Sequence, residues 1–302
     1  MSSIWASLLE PFAYQFFVKG LLVATMAGLL CGLLGVYITL RGMSYIGHGL
    51  SHAVFGGFAA SSVISFNYYL GAGIWGLASA LAINRVSRSR RIGADAAIGV
   101  ITTASFALGI ALLSLYGNKG PSFDAALFGS IIGVADTDVW VVAGVTAFTL
   151  IVVLGRYRAL LFSTFDPDVA DVSGVRVARS DALLMLVLSL AILATLNIIG
   201  VTLVAATLVI PAVVARMVTD SFSRMLWLSA SIGAAGGFIG MNLSYHLDVP
   251  SGTMIVLVDA AAFCLVLMAT GRRGLRGAAG LDEHIDRPFV VTSQAVPSRN
   301  AL

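Results

Sequence analysis

The sequence predicts an all-α fold: a polytopic bundle of eight or nine membrane-spanning helices, with a short cytoplasmic helix and an outer half-helix. Three observations carry this. Of 302 residues, 58% are hydrophobic and only 11% are Asp, Glu, Lys or Arg, with 32 glycines in addition. Soluble domains carry roughly 25% charged residues, so this chain cannot clothe a water-facing surface and most of its exterior must face lipid. Apolar runs near the about 20 residues needed to cross a hydrocarbon core recur along the chain. All but Lys19 and Lys119 of the 18 Lys and Arg residues fall where such a bundle would turn on one side only. Soluble enzymes, disulfide scaffolds and disordered chains are excluded together.

Taken in order, the candidate spans lie at about 17–40, 44–66, 68–86, 95–116, 138–158, 181–198, 200–218, 224–246 and 252–270. The sixth and seventh form one apolar stretch from Asp181 to Val218. As a single helix it would measure about 57 Å, well over the bilayer thickness. A break near Asn197-Ile-Ile-Gly200 gives nine spans; one tilted or kinked helix gives eight. With nine spans, the basic residues place the N-terminus outside and the C-terminus in the cytoplasm of a multi-pass cell-membrane protein. The net charge of +3 is therefore a topology signal and no nucleic acid is expected as a partner. Residues 1–276 form the transmembrane domain, and 277–302 read as a polar cytoplasmic tail. No basic segment precedes the first apolar run, so no cleavable leader is expected.

Small residues let helices approach closely in lipid. Gly28 and Gly32, Gly56 and Gly57, and Gly233, Gly236 and Gly237 suit such contacts. Cys31 and Cys264 both lie in apolar runs and are expected as small buried hydrophobes. Against this background ionisable residues inside spans are costly and mark a pathway or a partner. His48 and His52 are spaced i, i+4, which stacks both imidazoles on one helix face, and neutral imidazole is a good ligand for first-row metals. The spacing matches that of zinc proteases, but the intervening Gly49, Leu50 and Ser51 supply no general base, so a hydrolase is excluded. Asp259 sits near the middle of the last span, where a carboxylate costs roughly 2.5–3.5 kcal/mol. It serves either as a structural hydrogen-bonding group or as part of a cation path. Asn197 reads as a helix cap or interhelical glue.

Between the fifth and sixth spans, Phe165-Asp166-Pro167 reads as a helix start, with Asp as cap and Pro in the first turn. Gly174 stops that helix about two turns later. A short helix with acidic and apolar faces at the cytoplasmic side invites a docking role. The connection from Lys119 to Gly133 is apolar but too short to span, and reads as an outer half-helix packed on protein. His246 to Gly252 reads as a tight outer turn.

Four stretches together resemble the membrane permease subunit of ABC importers for zinc, manganese or iron. They are Arg41 to Val54, Phe165 to Gly174, Ile199 to Ala212 and Asp248 to Leu257, standing in that family's order. The resemblance implies a homodimer in the lipid bilayer with the substrate path along the subunit interface. It implies a separate ATP-binding subunit docking on a coupling helix carried by Phe165, Asp166, Pro167, Asp168, Ala170 and Gly174. An extracytoplasmic metal-binding protein would deliver the transported divalent ion, and no permanently bound cofactor is implied. The chain lacks a phosphate-cradling GxxxxGK[ST] loop, in keeping with ATP hydrolysis by a partner and no enzymatic activity of its own. His52 falls on the family's His, whereas His48 replaces its usual Asp and Gly56 its usual Pro. Asp259 stands where a small apolar residue is expected, so it is a candidate to return the lost carboxylate as a third metal contact beside His48 and His52. The alternative reading is a stand-alone secondary transporter driven by an ion gradient. Inverted repeats would favour it, and none is evident.

Overall fold

A helix that is apolar around most of its circumference sits in a protein core or in lipid, and α1 (Gln15–Leu40) is such a helix, buried over most of its length with Leu22 left exposed. In the computed structural model, which describes residues 10–87, 94–116, 127–130 and 134–285, it forms the axis of the bundle. After a short 3-10 turn at Glu10–Ala13 and α1 come α2 (Ser44–Val63), α3 (Tyr68–Ser87), α4 (Ala94–Tyr116) and α5 (Asp136–Gly155). Then follow α6 (Tyr157–Phe165), α7 (Pro167–Val172), α8 (Val177–Ile199), α9 (Val204–Val218), α10 (Phe222–Leu247) and α11 (Ser251–Ile285). There is no strand among the described residues. Around α1 lie α10, α9, α5 and α8, while α2 packs chiefly on α4 and α3, and α11 on α10 and α9.

Each candidate span is helical over most of its described length. Six helices, α1, α4, α5, α8, α10 and α11, are long and apolar enough to cross a membrane. α2 and α3 are 20 residues long but carry Ser, His, Asn and Arg, and α9 is a shorter apolar helix of 15 residues. Among the described residues the clear spans number six rather than the eight or nine expected, because α2 and α3 carry polar residues and α9 is short. The expected outer half-helix lies mostly outside the described residues, of which it retains 127–130. The last helix runs on past residue 276 to Ile285, so the polar segment begins helical. Cys31 is buried as expected, but Cys264 is exposed on α11.

The long apolar stretch breaks at Gly200. Its φ of 83° is a left-handed conformation that favours glycine, and a side chain there would strike the Leu127 carbonyl. Breaking a helix in an apolar medium frees carbonyls and amides that need new partners. Thr202 Oγ1 donates to Leu127 O at 2.7 Å, Ser130 N to Asn197 O at 3.1 Å, and Ser251 Oγ to Ile198 O at 2.8 Å. The Asn197 amide donates to Asp138 Oδ1 at 3.1 Å and to Tyr69 Oη at 3.2 Å. Asn197 is glue between helices, with Asp138 held in turn by the Ala135 amide at 2.7 Å.

Candidate functional site

α2 is held in place by its glycines. A side chain at Gly56 would meet the Ser105 carbonyl of α4, and one at Gly57 the Trp75 side chain of α3. At Gly49 it would be 2.9 Å from Thr102 Cγ2 of α4, and at Gly47 2.8 Å from Leu208 Cδ1 of α9. With α2 wedged so closely, its two histidines have little freedom. The His48 and His52 rings lie edge to face with centroids 4.3 Å apart, both half-buried. His52 also packs on Phe106 of α4 at 4.4 Å, and exposed Tyr45 lies 5.6 Å from His48. His52 Nδ1 is buried with no hydrogen-bond partner among the described residues. Two adjacent imidazoles, one with an unused buried nitrogen, form a compact pair of nitrogen donors. Phe106, whose ring sets the tilt of His52, carried no sequence signal beyond its apolar run.

Asp259 is not brought to this pair. It is 2% exposed and fills the notch opposite Gly236 of α10, close to buried Cys31 of α1. Its helix packs on α10 and α9 rather than on α2. Among the described residues no group of three or more His, Cys, Asp or Glu side chains is placed to hold a metal. Asp259 Oδ1 has no hydrogen-bond partner among those residues.

The second feature is the α6–α7 corner. Asp166 Oδ1 accepts from the Val169 amide at 3.0 Å, and Pro167 opens α7, as the sequence indicated. Gly174 adopts a φ of 80° and ends the unit, with Val175 N donating to Ala170 O at 2.9 Å. Ala170 is fully buried, whereas Phe165, Val169 and Val172 are exposed together with Asp166, Asp168 and Asp171. The result is an apolar and acidic knob. Substituting Asp166 by Ala removes the cap, a loss of about 1 kcal/mol. Amide exchange across Asp168–Val172 is then expected to accelerate roughly fivefold; unchanged exchange would show that the cap does not hold α7.

Pairings not predicted from the sequence fasten this knob to the bundle. Arg41, at the end of α1, pairs with Asp181 of α8 at 2.7 Å, and the two side chains are only 9% and 17% exposed. Phe222, at the start of α10, lies against Tyr37, Tyr157 and Phe165 with ring centroids 5.4, 5.7 and 5.8 Å apart. At the far end of α1, Lys19 pairs with Asp136 of α5 at 2.6 Å. The available signal was a single charge closing each apolar run; which charges meet was not readable.

Residues 13–270 match the ABC 3 transport family. The chain is 38% identical over 263 residues to a manganese transport system membrane protein, MntC, of Halalkalibacterium halodurans, covering 87% of this chain and 90% of that protein. It is 34% identical over 271 residues to the manganese transport system membrane protein MntB of Synechocystis sp., covering 90% and 88%. The solved structure of PsaBC from Streptococcus pneumoniae in complex with Fab superposes with a TM-score of 0.79 at 31% identity, covering 88% of this chain and 95% of that one. With a family match across most of its length and these relatives, the chain belongs to the ABC 3 transport family, the membrane permeases of metal-ion ABC importers.

Proposed function

We propose that this chain, as a homodimer, is the permease through which divalent transition-metal ions enter the cytoplasm by alternating access. Zinc, manganese and iron are the candidate ions. An extracytoplasmic binding protein delivers the ion, and a separate ATPase subunit docks on α7 and drives the cycle. The observation that carries the reading is the paired, half-buried imidazoles of His48 and His52 in a family of importer permeases. Two donors bind an ion weakly enough to release it, as transport requires. The exposed Phe165, Val169 and Val172 beside Asp168 and Asp171 supply an apolar and charged docking surface on α7. The N-terminus lies outside and the C-terminus inside, with α2, α3 and α9 completing nine crossings; the one-sided Lys and Arg residues support this.

Within the ion class, the nitrogen pair favours zinc and the later first-row metals over manganese, which prefers oxygen donors. The experiment is uptake of zinc, manganese and iron, side by side, by a deletion strain expressing this chain with its transport partners. Metal-dependent uptake that needs the ATPase is expected. His48→Asp is expected to raise manganese uptake relative to zinc, and an unchanged preference would remove His48 from the selectivity argument. Absence of metal uptake under all three conditions would overturn the reading as a whole.

A further inference from the structure

Arg41 closes α1 immediately before the two-residue link Gly42-Met43 and the start of α2. Its guanidinium uses three edges. Nη1 donates to Asp181 Oδ1 of α8 at 2.7 Å, Nη2 to Ser163 Oγ at 3.0 Å, and Nε to Thr164 Oγ1 at 3.1 Å, the last two on α6. Both hydroxyls donate to the Leu160 carbonyl, at 3.1 and 2.7 Å. Their lone pairs are thereby turned toward the arginine. Arginine alone offers a rigid, permanently charged fork with donors in several directions. One side chain therefore joins the end of α1, the start of α8 and the last turn of α6, which leads into α7.

Buried ion pairs are poor sources of stability, since apolar packing of the same volume does as well or better. What this one adds is a fixed geometry between segments 122 to 140 residues apart in the chain. Phe222 closes the other side of the same corner by packing on Tyr37, Tyr157 and Phe165. A displacement of α6 and α7 must therefore carry the end of α1 with it. From there the backbone passes through Gly42, at a φ of 66°, straight into α2. A helix is stiff along its axis, and His48 and His52 lie about 6 and 12 Å from its first residue at 1.5 Å per residue.

We propose that Arg41 is the positioning residue that ties the α6–α7 corner to the histidine helix, so that movement of α7 shifts His48 and His52. The proposal rests on the reading of α7 as the ATPase docking helix. Its test uses the full complex, permease with its ATPase subunit, in proteoliposomes supplied with zinc and the loaded binding protein. Ser163→Ala combined with Thr164→Val cuts the tie to α6 while leaving the Arg41–Asp181 pair, and Arg41→Lys keeps the charge but loses the fork. Both variants are expected to retain the ATPase and hydrolyse ATP. Zinc moved per ATP falls about two- to thirtyfold, the range for residues that couple distant sites. Wild-type zinc uptake per ATP in both variants overturns the proposal and leaves the docking reading standing. Loss of the ATPase from either variant overturns it too, because the residues would then only shape the docking surface. Failure of the wild-type chain to capture an ATPase overturns the docking reading itself.

Discussion

Gly28→Val is expected to prevent the bundle from assembling, and Gly233→Val to do the same from the opposite helix. A side chain on Gly28 would occupy the position of the Gly233 carbonyl, and one on Gly233 that of the Gly28 carbonyl. Gly32 stands in the same relation to Ser229, and Gly237 to Ala24, so α1 and α10 meet backbone to backbone over several turns. The Ser229 hydroxyl donates to the Gly32 carbonyl at 2.6 Å across this seam. In lipid no hydrophobic force pushes helices together, and close packing with such hydrogen bonds must do it. The obstacles are main-chain atoms, which cannot swing aside as a side chain can. The penalty therefore exceeds the roughly 1–3 kcal/mol typical of an overpacked core. At about 1.4 kcal/mol per tenfold, the ratio of folded to unfolded chain falls by more than an order of magnitude. Monodisperse yield after detergent extraction and the thermal midpoint are the measurements. Gly99→Ala and Gly144→Ala serve as controls, since nothing lies within 4 Å of a side chain at either position; alanine there is expected to be tolerated. Equal stability of Gly28→Val and these controls would refute the seam.

His52→Ala is expected to abolish most metal transport while leaving the bundle folded. The ring is half-buried and packs on His48 and Phe106, but among the described residues no hydrogen bond depends on its Nδ1. On the proposed role of the pair, removing one of its two nitrogens should weaken ion binding by at least the roughly 10–100-fold associated with losing an outer-sphere partner of a metal ligand. Uptake per complex, with ATPase content and thermal midpoint measured in parallel, separates lost binding from lost folding. Phe106→Leu keeps both imidazoles and is expected to have a smaller effect, through a looser His52 ring. Transport at the wild-type rate by His52→Ala would mean that the ion does not pass along this face of α2.

Much of the fold is legible in the chain because its signals are local. Apolar runs of spanning length, the cap formed by Asp166 and Pro167, the stop at Gly174 and the break at Gly200 each depend on a few neighbouring residues. The i, i+4 spacing likewise sets the His48 and His52 rings side by side once α2 is a helix. Asp259 shows where this ends. Its chemistry makes it an attractive third ligand, and its sequence position gives no hint that its helix packs on α10 and α9 while His52 packs on α4. The carboxylate occupies a glycine notch instead.

By itself the sequence determined that this is a membrane bundle, where most of its apolar helices lie, and which two imidazoles share a face. Only the tertiary structure decided that Arg41 meets Asp181, that Gly28 meets Gly233, and that Asp259 lies apart from the histidines. The physical reason is that helix formation and capping are satisfied within a turn or two of chain. An apolar helix in lipid carries almost no record of which side it will turn inward. That choice is made by close packing among all the helices at once, and charges and glycines far apart in the chain find their partners only then.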